Sequence, residues 1–240
     1  CDYLDYLSHD PETKVILMYI EGVKDGKRFF SSLRSATLTK PVVILKGGRG
    51  KAGVRATASP PLLEQGFKGK IYPVNPKYPE LAGLKCYPSL IDIPGPVEYV
   101  ISSIPARAVP SMIDDCAQKG VKVVHLFTGR FSETGHREAA ELEQEVLRRA
   151  KRAGVRLIGP NCMGVYYPGE GISFGFGFPK EAGSVGYASQ TGGGTSHFIN
   201  LSSLRGIRFS KAISYGNALD FNECDYLDYL SHDPETKVIL

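Results

Sequence analysis

The chain has 240 residues, 42% hydrophobic and 22% charged, with a net charge of +4 at neutral pH. That length can bury one large or two small cores, and the composition is ordinary for a globular protein. The charge is too slight and dispersed for a nucleic-acid surface. No apolar run approaches the roughly 20 residues that span a bilayer, and five scattered cysteines form no CxxC pair and no disulfide framework. The opening residues CDYLDY lack the basic start and apolar stretch of a secretory signal, so the expected setting is the cytoplasm.

Residues 1–17, CDYLDYLSHDPETKVIL, recur unchanged as residues 224–240. A solenoid unit would recur at a fixed period, whereas this repeat joins only the two ends. The sequence thus reads as a circle entered at one point and left slightly past it. A recent duplication, a permutation or a wrongly closed gene model would each leave that pattern. Two copies of one helix–strand unit compete for one place in a sheet, so one copy is expected to sit natively and the other to attach loosely.

Short β-branched runs predict strands at 14–20, 41–46, 70–74, 97–104, 121–127, 155–158, 185–189 and 207–214. Helical patterns lie between many of them, at 26–36, 106–119 and 136–153. The last carries Ala140, Leu142, Val146, Leu147 and Ala150 as a helix-period apolar stripe. Alternating strands and helices imply parallel sheets covered on both faces, with ligands beyond the carboxyl ends of the strands. The segment 166–183, YYPGEGISFGFGFPKEAG, lacks periodicity and reads either as a linker or as a loop packed by its own aromatics.

The strand-end loops carry the candidate chemistry. Gly48, Gly50 and Gly53 match G-x-G-x-x-G after strand 41–46, and an ordinary turn is the competing reading. A nicotinamide site would need an acid at the end of the next strand; PVNPK stands there instead. Lys46, Arg49, Lys51 and Lys77 favour a phosphate-rich ligand. The SSIPAR turn around Ile104, Pro105 and Ala106 is either a helix start or a wall of a nucleotide crevice. In GPNCMG, Asn161 could hydrogen-bond a carbonyl, while Cys162 has no nearby histidine in sequence and reads as a buried small side chain. Ser189, Gln190, Thr191, Gly192 and Gly193 lead a strand into a helix, either as an anion-binding nest or as a plain cap. Glu21, in YIEG, could orient an imidazole or simply face solvent. The histidines show no metal pattern.

Together GPNCMGVYYP, VGYASQTGGG, ISYGNALDFNECDYLDYL and MYIEGVKDGKRFF resemble the NDP-forming acyl-CoA ligases, which include ADP-forming acetate–CoA ligase and are related to the succinyl-CoA ligase α subunit. The resemblance implies an α/β fold with a Rossmann-like CoA-binding domain and a flavodoxin-like domain. It places Asn75, Pro76 and Lys77, with Ile104, Pro105 and Ala106, against the nucleotide portion of CoA. Asn161, Cys162 and Gly164 would lie near the thiol end. Residues 189–193 resemble the loop that receives a phosphohistidine, and Glu21 the acid that orients it.

The order is permuted with respect to that family. The implied domains are a CoA-binding domain over 41–180, with 41–46 in place of a missing first strand, and ligase-domain pieces over 181–240 and 1–40. Where the family places its phosphorylated histidine, after a segment like 49–59, Pro60 and Pro61 follow Ser59. The grasp domain through which the family handles ATP or ADP and magnesium has no counterpart. The resemblance therefore implies CoA as ligand, a grasp-domain subunit or lost domain as partner, no nucleic acid or membrane partner, and little catalysis by this chain alone. The alternative is a non-catalytic CoA- or nucleotide-binding module.

Overall fold

The computed structural model describes residues 2–20, 26–46 and 59–240. The chain divides into two compact units, Cys1–Ala56 and Thr57–Leu240.

The first unit is a helix followed by a strand–helix–strand unit: α1 (Asp2–His9), β1 (Ile16–Ile20), α2 (Gly26–Thr37) and β2 (Val42–Lys46). β1 and β2 pair in parallel from Ile16 opposite Val42 to Ile20 opposite Lys46. Parallel neighbours need a crossover, and α2 supplies it. Leu4, Ile16, Phe29 and Ala36 form the core. Asp5 accepts a 3.0 Å bond from the Ser32 hydroxyl, and the Lys40 ammonium donates to the Leu7 carbonyl at 2.7 Å, tying α1 to the rest.

Strand 41–46 was expected in the CoA-binding domain, in place of its missing first strand, with 70–74 as the next strand. It pairs with β1 instead, and 70–74 is no strand at all, contributing only a bridge between Val74 and Tyr87. Both outcomes follow from the backbone. The crossover helix puts β2 beside its predecessor in sequence. Pro73 removes a ladder donor from the second segment, and Pro76 follows just after it.

The second unit begins with α3 (Ser59–Gln65) and a small hairpin, β3 (Glu80–Leu81) and β4 (Leu84–Lys85). A three-stranded parallel sheet follows, made of β5 (Tyr99–Ser102), β6 (Val123–Leu126) and β7 (Arg156–Ile158) in that spatial order. Helices α4 (Val109–Lys119) and α5 (Arg137–Ala153) connect these strands. Val109, Ile113, Cys116, Val124, Leu126, Val146, Ala150 and Leu157 belong to their common core. The expected stripe of α5 is thus the face that packs, through Val146 and Ala150.

The remaining elements are β8 (Gly164–Tyr166), β9 (Val185–Ser189), α6 (Gly192–Leu204), β10 (Phe209–Ser214), α7 (Glu223–His232) and β11 (Val238–Ile239). Their sheet runs β11-β9-β10-β8, parallel except for β8. The stretch 166–183 takes the packed reading. Tyr166, Phe174 and Phe178 are buried with Phe209 and Ile199, and the Tyr166 hydroxyl donates to the Pro179 carbonyl at 2.5 Å.

Both copies of the repeat fold as a helix followed by a strand, α1–β1 in one unit and α7–β11 in the other. The expected loose copy is therefore not seen: α1 buries Leu4, and α7 buries Tyr226 and Leu230.

Candidate functional site

The three parallel strands β5, β6 and β7 end at one edge, and their following loops are tied together there. The Thr128 hydroxyl donates to the Ile104 carbonyl at 2.7 Å, and the Thr128 carbonyl accepts the Asn161 N–H at 2.9 Å. The predicted turns at 104–106 and 159–164 are thus joined through 128–135, a loop not anticipated from sequence. Its signal was the same one, glycines directly after a buried strand: Thr128-Gly129-Arg130. None of these bonds reaches Asn75, Pro76 or Lys77. That turn is fixed by its own contacts, with the Asn75 side chain accepting the Lys77 N–H at 2.9 Å and the Asn75 N–H donating to Tyr87 at 2.8 Å.

The second sheet brings its own strand-end loops to this edge. After β9, the Ser189 hydroxyl accepts the Thr191 N–H at 3.2 Å, and Thr191 caps α6 by accepting the Gly194 N–H at 3.2 Å. Gly192 sits so close to loop 159–164 that a Cβ there would stand 2.3 Å from Met163 Cγ. After β10, the Tyr215 N–H donates to Ser189, while the N–H groups of Asn217 and Leu219 donate to Pro160 and Gly159. Loop 215–219 therefore lies between the 189–194 and 159–164 loops. It, too, was missed as a site, although YGNAL follows a predicted strand.

Asn217 also bridges to two carboxylates. Its amide nitrogen donates to Glu133 at 2.7 Å and to the buried Glu143 at 3.3 Å, and its oxygen accepts from Asn161 at 3.5 Å. Glu143 also takes the Ser132 N–H at 2.7 Å. Burial alone would raise the Glu133 carboxyl, but hydrogen bonds from Asn217 and from the Phe131 and Arg130 backbone outweigh it and hold the group below the usual carboxylate range.

Cys162 points inward. Its thiol lies 3.6 Å from the Leu126 carbonyl, and burial pushes it up to about 12, so a thiolate nucleophile is excluded at neutral pH. Only backbone and neighbouring groups of this residue could face a ligand. Glu21 and the Gly48–Gly50–Gly53 pattern lie outside the described residues. No three metal-ligating side chains come together among the described residues, and no helix there is long and apolar enough to cross a membrane.

Beneath the Asn161 loop is an unanticipated buried group. His125 is 1% exposed, its ring packed near Phe127 and Tyr99 and against Gly164, with no hydrogen-bond partner for either nitrogen among the described residues. Burial lowers it to about 4, and the nearby Cys162 backbone offsets little of that. In the unfolded chain this histidine titrates near 6.5. The folded state therefore resists protonation, and stability that is full above pH 6.5 is lost as pH falls toward 4, by about 3 kcal/mol in all. Urea melts across that range should show the loss. His125→Phe should flatten it, and an unchanged slope in that variant would remove His125 as the cause.

Two family models match the chain. A CoA binding domain covers residues 50–168, and a succinyl-CoA ligase like flavodoxin domain covers 1–62 and 182–240. The chain belongs to the NDP-forming acyl-CoA ligase family. It is 38% identical over 226 residues to an ADP-forming acetate–CoA ligase of Archaeoglobus fulgidus, an alignment covering 90% of this chain and 33% of that protein. An ADP-forming acetate–CoA ligase subunit alpha of Pyrococcus furiosus is 35% identical over 185 residues, covering 75% of this chain and 40% of that one. Among solved structures, the dinucleotide forming acetyl-coenzyme A synthetase 1 of Ca. Korarchaeum cryptofilum, in its apo form, superposes with a TM-score of 0.70 at 33% identity. It covers 96% of this chain and 44% of its own. This acyl-CoA ligase homologue thus spans about a third of the first curated relative's length. Its ligase-domain matches flank the CoA-binding match, the permuted order implied by its motifs.

Proposed function

We propose that the chain supplies the CoA-binding and phosphate-receiving portion of an NDP-forming acyl-CoA ligase, and that alone it binds CoA without turning it over. The full reaction would convert acyl-CoA, NDP and phosphate into a carboxylic acid, CoA and NTP. The observation that carries this reading is the convergence of loops 104–106, 128–135, 159–164, 189–194 and 215–219 at one edge, where open α/β sheets bind ligands.

In this reading the 104–106 turn, with Asn75, Pro76 and exposed Lys77, takes the nucleotide end of CoA. Asn161, Cys162 and Gly164 lie toward its thiol. Ser189, Gln190, Thr191, Gly192 and Gly193 offer the start of α6 to a phosphoryl group, because the first N–H groups of a helix have no intrahelical acceptor. Glu21 would orient a phosphohistidine. Covalent transfer needs a positioned nucleophile, and Pro60 stands where the family's histidine is expected. A grasp domain on another polypeptide or in a longer chain would supply nucleotide and magnesium.

Isothermal titration should detect CoA binding that weakens as salt rises and on Lys77→Ala, an exposed change that leaves the fold intact. Incubation with labelled ATP, and separately with labelled acetyl phosphate, should leave no acid-labile phosphate on the protein. The absence of any CoA binding would defeat the reading. Stoichiometric label lost on mutating His136 or His197 would instead reveal a replacement nucleophile and an active enzyme.

A further inference from the structure

The two copies of the repeat bury adjacent sides of one sequence. In α1, Leu4 is 1% exposed and Tyr3 84% exposed. In α7 the equivalent of Tyr3, Tyr226, is 6% exposed, and the equivalent of Leu4, Leu227, is 49% exposed. Tyr3, left free in the first copy, is buried as Tyr226 in the second, while Leu7 packs partly against the first core and its equivalent Leu230 is fully buried.

The strands divide their edges in the same way. In the first copy the Ile16 N–H donates to the Pro41 carbonyl at 3.0 Å, next to β2. In the second, the N–H groups of Val238 and Leu240, equivalent to Val15 and Leu17, donate to Ser184 and Gly186 beside β9, and the Leu240 carbonyl accepts from Ala188 at 3.1 Å. Successive residues of a strand offer their backbone groups to opposite edges. The edge given to β2 is therefore that of Ile16, and the edge given to β9 is that of Val15 and Leu17. The backbone edges of one copy can therefore serve both sheets, and of its side chains Leu7 is shared between the two cores.

We infer that the place of α7 and β11 against β9 and β10 is an interaction surface for a second copy of this chain, whose α1, β1, α2 and β2 enter it with α1 and β1 replacing the resident α7 and β11. Every resident contact has its duplicate in the newcomer. Tyr226 stacks on Tyr215 at 5.1 Å between centroids, and Tyr3 would take that place. Leu230 and Thr236 fill the space that Gly186 leaves open, and Leu7 and Thr13 match them. Lys211 bonds Asp233 at 2.7 Å and Glu235 at 2.6 Å, for which Asp10 and Glu12 are the equivalents.

What the newcomer adds is sheet. β11 forms ladder pairs with Val185 and Gly186 of the five residues of β9, with one further bond from Ala188 to Leu240, whereas β1 runs for five residues and brings β2 with it. Two-stranded sheets are marginal by themselves. Exchange would merge such a sheet with a four-stranded one, in the order β8-β10-β9-β1-β2. That both 1–62 and 182–240 match one flavodoxin-like family model accords with the two pieces forming one sheet. The occupant is a second copy because only this sequence repeats the resident's contacts, and reciprocal exchange closes the pair at two seats, the route of domain swapping.

The test is sedimentation velocity of the full chain across a wide concentration range, with Tyr3→Glu and Tyr226→Glu variants checked for secondary structure by circular dichroism. The wild type should associate reversibly into dimers. Tyr3→Glu changes a residue exposed in the single chain, and should move the dimer midpoint to at least about tenfold higher concentration. Tyr226→Glu weakens the resident but leaves the newcomer intact, and should move it the other way. Monomers at every concentration, or dimers indifferent to Tyr3→Glu, would overturn the inference. So would a monomeric Tyr226→Glu chain that Tyr3→Glu then destabilises, since the occupant would be the chain's own first copy.

Discussion

Gly164→Ala is expected to remove about 4 kcal/mol or more of the stability of the second unit, among the largest losses a single methyl group can cause. The residue has φ of 90°, a backbone conformation that L side chains rarely adopt. An added Cβ would also stand 2.0 Å from Cε1 of His125. The imidazole cannot retreat, because Phe127 lies 4.6 Å from its centroid and Tyr99 6.5 Å away on a near-parallel plane. Because the same glycine ends the Asn161 loop, CoA binding should fall with stability. Urea denaturation measures the loss. The double variant Gly164→Ala, His125→Ala separates its two sources: removing the ring should return part of the loss, leaving the backbone strain. A double variant as unstable as the sum of its parts would mean the ring contact contributes nothing.

The second large effect is expected at Lys211, buried on β10 and bonded to two carboxylates. Asp233 and Glu235 accept its bonds, and the ammonium lies 4.3 Å from the centroid of the Tyr167 ring. Burial alone would lower the lysine, but the two carboxylates outweigh it and keep it charged. Lys211→Met should cost about 3 kcal/mol, because Asp233, only 7% exposed at its side chain, would be left as an uncompensated buried charge. The loss should be local: amide exchange should accelerate in α7 and β11 before the β5–β6–β7 sheet. Uniform acceleration would refute that. The pH dependence runs in one direction. The folded-state Asp233 and Glu235 carboxyls are held low despite the burial of Asp233, through their bonds to Lys211. Their contribution is present above the usual carboxylate range and disappears as pH falls through their folded values. In Lys211→Met that acid-side loss should shrink.

Much of the site could be read from sequence because its loops obey a local rule. A buried strand running into glycine or proline with small polar residues marks a carboxyl end, and 104–106, 159–164 and 189–193 were found this way. Loops 128–135 and 215–219 follow the same rule. They were missed because their importance is relational: Thr128 matters for the bonds it makes to Ile104 and Asn161, and Asn217 for bringing Asn161 near Glu133 and Glu143. Sequence spacing carries no trace of such bonds. His125 looked like an ordinary strand residue for the same reason, since its burial depends on where Gly164 returns.

Strand existence was likewise local, and strand partnership was not. The β-branched run ending at Lys46 becomes β2 as its composition implies, yet its neighbour is β1, chosen by the crossover helix rather than by the glycine pattern that follows it. The prolines of 70–77 decided against a strand that the apolar run suggested.

The repeat separates the two kinds of information most directly. Identical residues 1–17 and 224–240 have identical intrinsic propensities, and both form a helix followed by a strand, so element type was settled by sequence alone. Which side is buried was not. Leu4 goes under α2 in one unit, while Tyr226, the counterpart of Tyr3, goes against Tyr215 in the other. The helix carries two adjacent stripes that can be buried, Leu4 with the small Ser8 and Tyr3 with Leu7, each at the four-residue spacing that lines one face. Hydrophobic burial is non-directional, so either stripe can serve. Only the surface that each copy meets, a crossover helix in one unit and a sheet edge with room at Gly186 in the other, decides between them.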